Sequence, residues 1–421
     1  MKRYILMMFC LLAVMITKAQ QVITVKKGDT KSLLEAVEQA NKQNTAKDAP
    51  RLFILIPDGL YDLGEKVLTR ITGHNIALIG QSMEGTVIQN KPDIKQEGIG
   101  KTAVFVNRGT GNYFQDLTLK NALDYYAAGS AGRAVTLQDK GTRTICNRVR
   151  LLSYQDTYYS DNDLSQLYFQ DSEIHGTVDF ICGDGDVWFE RCKLVTEKRT
   201  ADGQGGRNVI AAPKTSKTPW GYIFNRCTVE NIVSNFEYAR GWHSTPHCIW
   251  LYTTLLSPEK LNATRFDWRG MNTVLSDFKE YCTMDAQGRD ITPKTNVVTY
   301  RMTKKKQEGN KLIEREHSRT DETILTDAEA AKYTLDNVFG DWHPDQVIKQ
   351  IEKKAKKKWS VYNRRSNSLI SSSVVAQLVT KRQMVQCLSV CPKWVNCTCC
   401  DSRSTSASGK TMNCWLVGES T

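Results

Sequence analysis

A loose hexad repeats along the middle of this chain, and it restricts the fold more than any other feature. Its instances are Phe114-Gln-Asp-Leu-Thr-Leu119, Cys146-Asn-Arg-Val-Arg-Leu151, Phe169-Gln-Asp-Ser-Glu-Ile174, Phe189-Glu-Arg-Cys-Lys-Leu194 and Phe224-Asn-Arg-Cys-Thr-Val229. They begin 32, 23, 20 and 35 residues apart. Each contains a short strand pattern and a polar bend, and no helical period intervenes. A unit this small cannot bury its apolar face alone and must stack on its neighbours, which predicts an all-β solenoid with one coil per repeat. The uneven spacing predicts loops of different length growing from the coils. The fourth and sixth residues of each hexad share a strand face, so Leu117, Val149, Ser172, Cys192 and Cys227 are expected to form an inward stack. An antiparallel β-sandwich is the competing reading of the same short strands.

The two ends read differently. Asp29 and Thr30 precede Leu33, Leu34, Val37 and Ala40 at helical spacing, which predicts an N-terminal cap helix. Ahead of it, Lys2 and Arg3, an apolar run from Tyr4 to Ile16 and a small-residue exit at Ala19 have the pattern of a secretory signal peptide over residues 1–19. That run is too short to span a bilayer, so the expectation is a secreted or periplasmic protein with no membrane partner; a buried N-terminal helix is the alternative. The formal charge of +12 does not point to nucleic acid, because residues 346–421 hold 13 Lys and Arg against 3 Asp and Glu. Residues 20–345, the expected catalytic body, hold 41 basic against 42 acidic residues. With its lysine run at 353–358, its Ser/Thr content and six of the cysteines, 346–421 is expected to be a poorly ordered tail that adds nothing to the packed core.

Chemistry is expected to run on carboxylates. There is no Gly-x-Ser-x-Gly, no His-Glu-x-x-His, no phosphate-binding glycine loop, and no motif around any of the six histidines. Asp156 and Asp179 each lie five residues beyond the end of a hexad, at Leu151 and Ile174. An equal offset on successive coils places them in register, about 4.8 Å apart at the backbone. Two carboxylates that close do not ionise together readily, which suits an acid with a nucleophile or an acid with a base. The spacing admits equally a ladder of aspartates that binds turn amides.

At these residues the chain resembles a known family. Tyr154-Gln155-Asp156-Thr157-Tyr158-Tyr159 resembles the Gln-Asp-Thr-Leu-Tyr motif of pectin methylesterases, and Gly176-Thr-Val-Asp-Phe-Ile-Cys-Gly183 resembles their Gly-Thr-Val-Asp-Phe-Ile-Phe-Gly. Gly132-Arg-Ala-Val-Thr-Leu137 and Arg240-Gly-Trp242 are similar to two further motifs, and looser similarity runs from Ile23 to about Trp342. Arg133 stands where the family has glutamine, Gly241 where it has proline and Cys182 where it has phenylalanine. The resemblance implies a right-handed parallel β-helix, a site without metal or cofactor, and methyl-esterified pectin as the partner of a monomeric enzyme. It implies Asp179 as nucleophile, Asp156 as acid and then base, Gln155 as oxyanion donor, and Arg240 as the group holding Asp179. Trp242, Arg133, Phe180 and Tyr158 are the expected substrate contacts. An esterase or thioesterase of other substrates, a pectate lyase or polygalacturonase, and a non-catalytic carbohydrate-binding solenoid are the alternatives on such a scaffold.

Overall fold

The computed structural model describes residues 22–364, apart from 130–131, 204, 215–216, 234, 243–245, 268–276 and 310. The expected signal peptide and most of the expected tail therefore lie outside the described residues. Successive coils pair in parallel and in register: Phe114, Cys146, Phe169, Phe189, Phe224 and Trp250 are consecutive ladder partners. A second sheet of seven parallel strands runs from Thr69–Ile71 through Phe105–Asn107, Leu137–Asp139, Tyr158–Ser160, Val178–Gly183 and Asn208–Pro213 to Phe236–Ala239. Parallel neighbours joined by such crossovers take the right hand. The architecture is the expected right-handed parallel β-helix.

The hexad makes a bend as well as a strand. Its third residue has a left-handed backbone in every instance, at Asp116, Arg148, Asp171, Arg191 and Arg226, with φ between 47° and 53°. Simple alternation would face residues 1, 3 and 5 inward, or 2, 4 and 6. The bend shifts that phase, so the first, fourth and sixth residues all turn into the core. Leu117, Val149, Ser172, Cys192 and Cys227 are each at most 2% exposed, as the repeat predicts. The inward Ser172 hydroxyl donates to the Gln170 carbonyl at 3.0 Å and accepts from the Val149 amide at 3.1 Å. At the first position the rings stack: Phe189 on Phe224 at 4.7 Å, and Phe224 on Trp250 at 4.0 Å. Each such pair contributes about 0.5–1.5 kcal/mol beyond the area it buries.

Both ends of this core are covered. The helix Thr30–Gln43, capped by the Asp29 side chain accepting from the Ser32 amide at 2.9 Å, closes the first coil with Leu33, Ala36, Val37 and Ala40. At the other end Glu280 takes the ladder position after Trp250, fully buried and paired with Arg265.

Two elements depart from the expected layout. An antiparallel hairpin, Val297–Glu308 with Lys311–Glu322, grows from the C-terminal end. Residues 344–364 are helical, and the boundary expected at 345/346 falls inside that helix. Ile348, Ile351 and Ala355 are buried, and the Glu352 carboxylate accepts from Arg148 and from Asn147, the latter at 3.1 Å. A chain ended at Asp345 should therefore lose about 3 kcal/mol of stability, from the isoleucine surface returned to water. Urea unfolding reads this directly, and an unchanged midpoint would show that the helix only rests on the coils.

Candidate active site

Tyr158–Ser160 pairs with Val178–Gly183 so that Tyr158 faces Ile181 and Tyr159 faces Cys182. The same offset sets Asp156 beside Asp179, and the Asp156 amide donates to the Val178 carbonyl. Both aspartates have left-handed backbones, φ 58° and 54°, a conformation aspartate tolerates better than most residues. Close packing holds the two segments together. A Cβ at Gly176 would lie 2.4 Å from the Tyr154 carbonyl oxygen, and one at Gly183, where φ is +117°, 1.8 Å from that of Ser160. The Thr177 amide donates to the Tyr154 carbonyl at 2.7 Å, and the Thr157 hydroxyl to that of His175 at 2.7 Å.

The carboxylates open into a cleft of about 160 Å³. Its polar wall is Arg133, Gln155, Asp156, Asp179 and Arg240, and its apolar wall is Ile99, Cys182, Ala212 and Trp242. Arg240 follows the strand Phe236–Ala239, and its amide donates to the Ala211 carbonyl at 2.9 Å. Its guanidinium grips both oxygens of Asp179, with Nε donating to Oδ1 at 2.8 Å.

The two acids differ in proton affinity for physical reasons. Burial raises both. At Asp179 the paired Arg240 guanidinium opposes burial, with help from the charge of Arg199. At Asp156 the negative charge of Asp179 adds to burial, and Arg133 and Arg240 only partly offset it, so its pKa stands well above the ordinary carboxylate value. The arrangement suits a proton on Asp156 beside an anion on Asp179.

Two of the expected substrate contacts need correction. Tyr158 and Phe180 are fully buried inside the solenoid, Tyr158 edge-on to Phe169, and neither ring can meet a sugar. The outward tyrosine is Tyr159, whose ring lies 5.9 Å from that of Trp242 and whose hydroxyl donates to Asp161 at 2.9 Å. Its signal was in the motif, where the last tyrosine of Gln-Asp-Thr-Leu-Tyr falls on 159. Arg133 lines the cleft, where its Nε and Nη2 donate to Glu97 at 2.9 and 2.8 Å. Its charge acts on Asp156.

Known proteins resemble this chain in sequence and in fold. A family model described as Pectinesterase matches residues 20–255, more than half of the chain. Probable pectinesterase 50 of Arabidopsis thaliana is 30% identical over 245 residues, 57% of this chain and 64% of that protein. Pectinesterase 3 of Solanum lycopersicum is 29% identical over 171 residues, 41% of this chain and 29% of that protein. The chain thus spans under two thirds of the curated relatives it matches. The solved pectin methylesterase of Erwinia chrysanthemi superposes with a TM-score of 0.56 at 24% identity, covering 78% of this chain and 99% of that one. A pectin methylesterase from carrot covers 64% of this chain and 83% of its own, with a TM-score of 0.53 at 22% identity. The match over residues 20–255 spans the cap helix, both aspartates, Arg240 and Trp242, and the chain belongs to the pectinesterase family.

Proposed function

We propose that this protein removes methyl esters from galacturonate units of pectin, releasing methanol. The observation that carries the reading is the in-register pair Asp156 and Asp179, alike in backbone and unlike in proton affinity. An oxygen of the Asp179 anion attacks the ester carbonyl carbon, and the Gln155 amide donates to the oxyanion that forms. As the C–OCH3 bond breaks, Asp156 gives its proton to the departing methoxide, leaving an anhydride between the galacturonate and Asp179. Asp156, now a carboxylate, takes a proton from water, whose oxygen attacks the acyl carbon. The anhydride bond breaks, Asp179 returns as a carboxylate and Asp156 is protonated again. Arg240 fixes the attacking carboxylate throughout, and Trp242 and Tyr159 offer apolar surface to the sugar. Methanol release from methyl-esterified pectin by the full chain tests this. Binding of pectin without methanol would favour a carbohydrate-binding solenoid instead.

Arg133 supplies a pH test. Activity requires a proton on Asp156, so the rate falls as pH rises through its pKa. Arg133→Gln removes a charge that lowers that pKa and leaves Glu97, which raises it, unanswered. The alkaline limb of the kcat–pH profile should therefore move to higher pH. A limb that stays in place would show that the Arg133–Glu97 pair acts on Asp156 as a neutral unit.

A further inference from the structure

Around the corner of the coil from the carboxylates lies a second cleft, of about 440 Å³. Its floor is the outward row Lys120, Leu152 and His175, ladder partners on successive coils, so that Lys120 and His175 are about 10 Å apart. Three tyrosines build one wall. Tyr125 stacks on Tyr154 at 4.8 Å with the rings 6° from parallel, and Tyr126 meets Tyr154 edge-on at 5.3 Å. Tyr126 is 38% exposed, and its hydroxyl donates to the Lys198 carbonyl at 3.1 Å.

The charges in this cleft are not equally engaged. Glu173 and Glu197 both hold His175, the latter at 2.7 Å, and these carboxylates outweigh burial and raise the His175 pKa above its usual value. The Asp124 carboxylate accepts from the Ala127 amide at 3.1 Å. Lys91 and Lys120 line the same cleft, and among the described residues neither ammonium has an ion-pair partner. A concave surface with one exposed aromatic ring, that of Tyr126, backed by two stacked tyrosines, and with two lysines outside any ion pair among the described residues has the makeup of a site for an acidic sugar. Tyr154 also stands two residues before Asp156, so their backbones are no more than about 7 Å apart.

We propose that this cleft is an accessory subsite for a demethylated, anionic stretch of the polyuronate, with uronate carboxylates on Lys91 and Lys120 and a sugar ring on Tyr126. The proposal rests on the pectin reading of the catalytic cleft and deepens it. The chain would then hold unesterified galacturonate beside the cleft where esters are cut.

The test is binding of fully demethylated polygalacturonate to the full-length protein, by affinity electrophoresis or calorimetry. Lys91→Ala with Lys120→Ala should weaken binding about tenfold and flatten its salt dependence. Tyr126→Ala should weaken it about fivefold at every salt concentration. Methanol release from a short methyl-esterified oligomer, which fills the catalytic cleft alone, should keep its kcat in all three substitutions, with an unchanged melting temperature. Polygalacturonate binding by the triple variant as tight as that of the wild type would overturn the proposal. Methanol release by the wild type checks the catalytic reading separately. Its failure, with the binding losses still present, would leave the cleft an anionic-sugar site on a protein of other function.

Discussion

Asp179→Asn should remove turnover, by about 10³-fold or more, without lowering the melting temperature. The amide keeps the shape of the carboxylate but is no longer an anionic nucleophile, and no other group in the cleft takes its place. Two opposed changes act on stability. Burial raises the Asp179 pKa, so its charge costs folding energy, while the same carboxylate meets the Arg240 guanidinium at both oxygens. The asparagine removes the first cost but keeps only one acceptor oxygen for Arg240, so the two changes offset and the melting temperature should move little. Methanol-release kinetics and calorimetry on the same preparation give both readings. A variant that keeps turnover would refute the assigned nucleophile, and one that loses turnover through unfolding would show that the Arg240 pair is mainly structural.

Asp156→Asn should lower kcat by about 10²–10⁴-fold, because the acid and the base of the two half-reactions are lost together. It should also change how stability depends on pH. An unfolded aspartate releases its proton near pH 3.9, whereas in the folded chain burial and the Asp179 charge hold that proton to a much higher pH. Between those limits the unfolded state carries fewer protons than the folded one, so the wild type loses stability as pH rises. The asparagine variant lacks this contribution, and its stability should fall less over that window. Parallel urea titrations across pH resolve the difference. A rise in KM with kcat intact would make Asp156 a binding residue.

The repeat was legible because its fourth and sixth residues are apolar or small in nearly every coil, and stacking alone gives such units a core. The equal offset of Asp156 and Asp179 was legible for the same reason, since coils in register carry equal offsets into space. What alternation could not supply was the side on which Tyr158 and Tyr159 project. That depends on the left-handed residue at Asp156, which resets the phase of the strand after it, as Asp116 and its equivalents do in the hexads. The hairpin at 297–322 was hidden because its closely spaced lysines, arginines and glutamates interrupt the apolar alternation by which a half-buried strand is read. The helix at 344–364 was hidden by the lysines that surround Ile351 and Ala355, whose spacing from Ile348 is helical.

In a solenoid each coil touches only the coils on either side, so opening begins at the ends and moves inward. The carboxylates stand on coils flanked by Leu137–Asp139 on one side and Asn208–Pro213 on the other, well inside both capped ends. The terminal coils can fray, exchange their amide hydrogens and close again while the two aspartates keep their register. Loops and hairpins such as 297–322 can likewise lengthen without disturbing the spacing on which the chemistry depends.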